Sequence, residues 1–132
     1  MRIYLAAKYS RMEELRVYRD ELTALGHTVT SRWLDGNHEQ VDESDPTNDD
    51  LRRWAVEDLE DIDRSSMFLC FTGGDKSAGR NIELGYALRR DQFIHDFKVA
   101  ICGPRESVFH HLKSVQVFET WPDAIAYFEA NR

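Results

Sequence analysis

Apolar residues in this chain fall either in short unbroken runs or at intervals of three and four, and that alternation predicts its elements. Arg2 to Ala7 is the first run and reads as a strand. Ser10-Arg11-Met12-Glu13 then has capping-box spacing, Leu15, Tyr18, Leu22 and Leu25 recur at helical intervals, and Gly26 stands where a helix C-cap belongs. His27 to Ser31 alternates as a second strand. Leu34 to Asp50 is polar and acidic with Pro46 inside it, which predicts a long loop. Leu51, Ala55, Leu59 and Ile62 share one face of a second helix. Met67 to Phe71 is apolar at every position, as in a central parallel strand covered on both sides. Gly79 to Arg90 predicts a helix, Val99 to Cys102 a strand and Val115 to Phe118 a short last strand. Thr120-Trp121-Pro122-Asp123 caps a final helix.

The order β-α-β-α-β-α-β-(short helix)-β-α predicts one α/β domain over residues 1–132, with a parallel sheet between two helical layers. Ligands of such sheets bind at the carboxyl ends of the strands, so the functional loops are Ala6–Ser10, Trp33–Asp50, Thr72–Gly79 and Gly103–His111.

Composition narrows the picture. The formal net charge of −7 argues against a general nucleic-acid binder, which needs a basic face. An anionic ligand then has to be held by local Arg, Lys and backbone N–H groups. No apolar run approaches the ~20 residues of a membrane span, and the N-terminus opens on a strand, so a cytoplasmic protein with no membrane partner is expected. Cys70 and Cys102 lie in apolar runs and read as buried free thiols.

The candidate chemistry centres on Thr72-Gly73-Gly74-Asp75-Lys76-Ser77-Ala78-Gly79-Arg80-Asn81-Ile82-Glu83, where a strand meets a glycine-bearing turn and then a helix. A helix N-terminus offers unpaired N–H groups and a positive dipole to a phosphate, with the Ser77 hydroxyl and the Gly79 turn as its cradle. The pattern is neither a Walker A loop nor G-x-G-x-x-G, so triphosphate and dinucleotide readings lose support. Glu83 faces the same crevice, where a carboxylate attacks an anomeric carbon as retaining glycosidases do. The same acid also suits a helix N-terminus without any chemistry.

Asp58, in Glu57-Asp58-Leu59-Glu60-Asp61, belongs either to a solvated helix face or to the crevice edge, where a desolvated acid donates a proton to a leaving base. Tyr4 and Ala6 end the first strand, where small residues permit close ligand approach. Lys8, Arg11 and Arg80 are candidate phosphate contacts, and Trp33 is a candidate stacking surface for a base or an ordinary packing residue. His110-His111 lacks a third ligand, so no metal is expected and a loop or subunit contact is the reading.

Asp58-Leu59-Glu60, Ser77-x-Gly79 and Glu83-Leu84-Gly85-Tyr86-Ala87 together resemble the nucleoside 2-deoxyribosyltransferase superfamily, which includes the 2′-deoxynucleoside 5′-monophosphate N-glycosidases. The resemblance runs from Ile3-Tyr4-Leu5 to the last helix. It implies a flavodoxin-like (Rossmann-like), doubly wound sheet of five parallel strands in three α/β/α layers. It also implies Glu83 as nucleophile at C1′, Asp58 as the acid serving the base, and Tyr4 as a pocket residue. Active sites shared between subunits of a homodimer or higher homo-oligomer follow from it, with His111 in the region that reaches across. No cofactor is implied.

Six positions before the nucleophile the transferases resemble one another in an acid that holds a free 5′-hydroxyl, and the monophosphate glycosidases in a Ser that holds a 5′-phosphate. This chain has Ser77 there, with Asp75 two residues earlier as the acid a transferase would use. The expectation is cleavage of the N-glycosidic bond of a (2′-deoxy)ribonucleoside 5′-monophosphate. The alternatives are a nucleoside 2-deoxyribosyltransferase and a nucleotide-binding module without turnover.

Overall fold

Met67–Phe71, buried at every position, is the central strand β3 of a five-stranded sheet in the computed structural model, which describes residues 1–36 and 46–132. The elements run β1 (Arg2–Ala6), α1 (Met12–Ala24), β2 (Thr28–Val29), α2 (Asn48–Asp63), β3, α3 (Ala78–Phe93), β4 (Lys98–Cys102), β5 (Val115–Phe118) and α4 (Trp121–Ala130). The strand order is β2-β1-β3-β4-β5 with every neighbouring pair parallel, a flavodoxin-like arrangement. β1 pairs with β3 from Ile3 opposite Met67 to Ala6 opposite Cys70. The chain leaves β1 toward β2 and returns to β3 on the other side. The loops after β1 and β3 therefore diverge and open a crevice at the carboxyl edge.

The two helical layers are tied by different contacts. On one, Tyr18 of α1 stacks on Trp121 of α4 with ring centroids 4.2 Å apart. On the other, α3 reaches α2 through the Tyr86 hydroxyl, which donates to Asp63 (2.7 Å), and through Arg90, whose guanidinium donates to the Asp63 carbonyl (2.7 Å). Cys70 and Cys102 are buried free thiols inside the sheet.

Local signals set several boundaries. Gly26, at φ 91°, closes α1 with a Schellman pair: its N–H donates to Thr23 and the His27 N–H to Leu22. The capping box forecast at Ser10 does not form. Ser10 lies inside a 3-10 turn, Tyr9–Arg11, and α1 starts at Met12 with no side-chain cap. The Arg11 guanidinium is drawn to Glu14 and across to the Thr72 carbonyl (3.0 Å), and that tertiary contact outweighs the local cap.

β2 is shorter than the expected His27–Ser31 because side chains take over the ladder. Leu5 N–H donates to Ser31 Oγ (2.7 Å), and the Leu5 carbonyl accepts from Trp33 Nε1 (2.9 Å). Arg32–Asp35 is a 3-10 turn rather than loop, and α2 begins at Asn48, under a Thr47–Asp50 capping box. The middle of the expected Leu34–Asp50 loop lies outside the described residues. The buried face of α2 also differs: Trp54, Asp61 and Ile62 turn inward, while Leu51 is 50% exposed and Ala55 and Leu59 face a cavity.

Candidate active site

At the carboxyl edge a cavity of about 300 Å³ lies between the loop after β1, α2 and the first two turns of α3. Ser77 is the N-cap of α3, its Oγ accepting from the Arg80 N–H (3.2 Å), so its own proton is free for a ligand. Gly79, one residue into α3, has open space where a Cβ would stand, so a ligand can approach the helix end closely. Glu83 follows in the second turn, where the helix passes over β1. The buried Tyr4 hydroxyl rises from the sheet and lies 3.0 and 2.9 Å from the two Glu83 carboxylate oxygens, donating to one of them. Tyr4 itself is held by stacking on Phe68.

Asp58 enters the same cavity from α2, so the geometry unites Glu83, Asp58, Ser77, Gly79, Arg80 and Trp33, with Tyr4 beneath Glu83. Trp33 is fixed by its bond to Leu5, and its ring stands 6.4 Å from that of Tyr9, so two aromatic faces form one wall.

The electrostatics follow from enclosure. Burial raises Glu83 to about 8, the neighbouring Asp58 charge adds to the rise, and the Tyr4 hydrogen bond opposes it. Asp58 is raised to about 7 by burial, then by Asp61 and Glu57, with Arg32 opposing. Burial and the Glu83 charge push the Tyr4 phenol well above its ordinary value, so it stays a donor. Two carboxyl groups that resist joint ionisation share protons across the neutral range, one serving as base or nucleophile while the other is an acid.

Other forecast residues lie apart. Lys8 and Arg11 rim a neighbouring hollow with Ser10, Thr72, Gly73, Gly74 and Asp75. Lys8 pairs with Asp75 at 3.3 Å and Arg11 is bidentate on Glu14, so both charges are already answered. Ala6 is buried in the sheet opposite Cys70, and it is Ala7 that reaches the cavity. His111 is exposed on a 3-10 turn, Val108–His111, and lines neither space, because that turn sits behind α3. Arg80 is buried, donating from Nη1 to the Phe71 carbonyl (2.9 Å) with Glu106 3.5 Å from Nη2; its Nε meets no partner among the described residues.

No protein-family model and no curated protein sequence matches this chain. Solved structures do. A 2-deoxyribosyltransferase from the psychrotolerant bacterium Bacillus psychrosaccharolyticus superposes with a TM-score of 0.73 at 22% identity, covering 99% of this chain and 95% of that one. A CMP N-glycosidase from Clostridium botulinum superposes with a TM-score of 0.61 at 16% identity, covering 98% and 99%. The likeness is one of fold. It extends over nearly the whole chain in both cases.

Sequence reasoning missed several lining or supporting residues, Ala7 and Ile82 among them. Tyr9 went unread because its partner Trp33 is distant in sequence. Ala55 and Leu59 read as core because a cavity wall and a core face show the same periodicity. Asp61 went unread inside an acidic run, although its carboxylate is fully buried.

Proposed function

We propose that this chain cleaves the N-glycosidic bond of a (2′-deoxy)ribonucleoside 5′-monophosphate. The observation that carries the reading is the Glu83 carboxylate, enclosed with the acid Asp58 and held by the Tyr4 hydroxyl at 2.9 Å, six residues beyond the Ser77 cap. Ionised Glu83 attacks C1′ as the C1′–N bond breaks, and the bonding pair leaves on the base. Asp58 supplies the proton that neutralises the departing base. The glycosyl–Glu83 ester is then attacked at C1′ by water, whose proton passes to Asp58, and the sugar phosphate leaves.

The phosphate is held by the Ser77 hydroxyl, the unpaired N–H groups at the start of α3 and the unspent Nε of Arg80. Trp33 and Tyr9 flank the base.

A second reading is base exchange between deoxynucleosides. It is favoured by the commitment of Lys8 to Asp75 and Arg11 to Glu14, and by the likeness to the 2-deoxyribosyltransferase. The chain acts as a homodimer or higher homo-oligomer: Val108 (76% exposed), Phe109 and Leu112 stand beside an apolar groove along Leu84 and Leu88, a patch that a second copy covers.

The test is base release from matched nucleosides and 5′-monophosphates, with and without a second free base. Release from monophosphates alone supports the proposal, and exchange on nucleosides that requires an acceptor base supports the second reading.

A further inference from the structure

We infer that Asp61, sealed behind the cavity wall, is a positioning residue that acts through Asp58. The inference rests on the acid role proposed for Asp58. Asp61 lies one helical turn after Asp58 on α2 and has no exposed surface. Its Oδ2 accepts from the Arg32 backbone N–H (2.9 Å), its Oδ1 accepts from Arg32 Nε (2.8 Å), and Arg64 also donates to Oδ1. Its own carbonyl accepts from Thr30 Oγ1 (2.9 Å). A carboxylate fastened at that many points has one place and one orientation.

Burying such a group has a cost that an apolar side chain of similar size avoids, and buried ion pairs are seldom the cheapest packing. The gain must then lie in what the charge does. The groups facing Asp58 are Glu57 and Asp61 on its own helix, Arg32 from the turn after β2, Glu83 from α3 and Tyr4 from β1. Asp61 shares a helical turn of α2 with Asp58, whereas Glu83 is carried by α3; its charge acts on Asp58 and, more weakly, on the Tyr4 phenol. Over the range in which the pair shares one proton, the higher value of Glu83, about 8 against about 7 for Asp58, leaves it mostly on Glu83, whereas the reaction needs the proton on Asp58 and the charge on Glu83. A fixed negative charge nearer to Asp58 biases the proton toward the productive side. Arg32, clamped to Asp61, works in the opposite sense and limits the effect.

The test is a carboxyl ¹³C NMR titration of Asp58 in the full chain, with the resonance assigned by its loss in Asp58→Asn. Asp61→Asn keeps shape and an acceptor for Arg32 but removes the charge, and Arg32→Gln removes the opposing charge. The expected result is opposite displacement: the Asp58 midpoint falls by about one pH unit in Asp61→Asn and rises in Arg32→Gln. Base release then drops about tenfold above pH 7 in Asp61→Asn and is unchanged near pH 5. A residue that only braces the turn shifts Asp58 in the same direction in both variants, or in neither, and either result overturns the inference. If Asp61→Asn does not fold, the double variant Asp61→Asn/Arg32→Gln, which leaves neither partner charged and unpaired, decides: an Asp58 midpoint below that of Arg32→Gln alone supports the inference, and an equal or higher one overturns it. Absence of base release by the wild-type protein refutes the proposed function, while the titration still reads the coupling.

Discussion

Tyr4→Phe isolates the contact that prepares Glu83. Phenylalanine keeps the ring, its stacking on Phe68 and its volume, and deletes only the hydroxyl 2.9 Å from the carboxylate. A hydrogen bond to an ionised group contributes about 1.5–3 kcal/mol, and 1.36 kcal/mol corresponds to about one pH unit, so Glu83 rises by about 1–2 units above its value near 8. The sign is fixed: the bond lowers Glu83, and removing it keeps the carboxyl protonated to higher pH. Below pH 7 the ionised nucleophile is then scarcer by about 10–100-fold. Base release followed from pH 5 to 10 should show that loss at the acid end, with the two enzymes converging in alkali. A loss of equal size at every pH would refute the reasoning, because it would place the effect on substrate geometry rather than on Glu83 ionisation.

Ser77→Asp separates capping from phosphate recognition, since Asp caps a helix as well as Ser does. Thermal stability should hold, while kcat/KM on monophosphates falls by about 100-fold through charge repulsion and activity on nucleosides persists. Glu83→Gln should stabilise the protein in alkali. Folded Glu83 holds its proton to about 8 against an ordinary 4.5, so the stability its neutral form contributes is complete below 4.5 and lost as pH rises through 8. The variant therefore gains about 5 °C or more in Tm at pH 9 and next to nothing at about pH 4, read by calorimetry. Gly103→Ala should lower stability by about 2–4 kcal/mol in urea titration. Gly103 has φ 122°, and a Cβ there meets Thr72 Oγ1 at 2.5 Å and the Thr72 carbonyl oxygen at 2.9 Å.

The parts of the fold legible in the sequence are those with local causes. Met67–Phe71 reads as a central strand because every residue is apolar, and Ser77 and Glu83 fall on one helix end because six residues of helix carry them there. Tyr4 and Asp58 needed the resemblance, since nothing local tells a crevice acid from a solvated one. What escaped depends on long-range partners. The Asp61–Arg32 clamp joins residues 29 positions apart, inside a run of acids that reads as surface. Arg11 left its helix end for the Thr72 carbonyl, 61 positions away, and the Ser10 cap went with it. Lys8 read as a phosphate contact because its acid partner Asp75 meets it only in the folded chain, whereas Glu14, the partner of Arg11, stands only three positions along.

The central claim, covalent catalysis at Glu83, is tested most directly by quenching the enzyme in acid during turnover of 2′-deoxynucleoside 5′-monophosphates and weighing its peptides. The account predicts one deoxyribosyl phosphate on the peptide that carries Glu83, and neither adduct nor base release in Glu83→Gln. Base release with no adduct, or with the adduct on another residue, would contradict it.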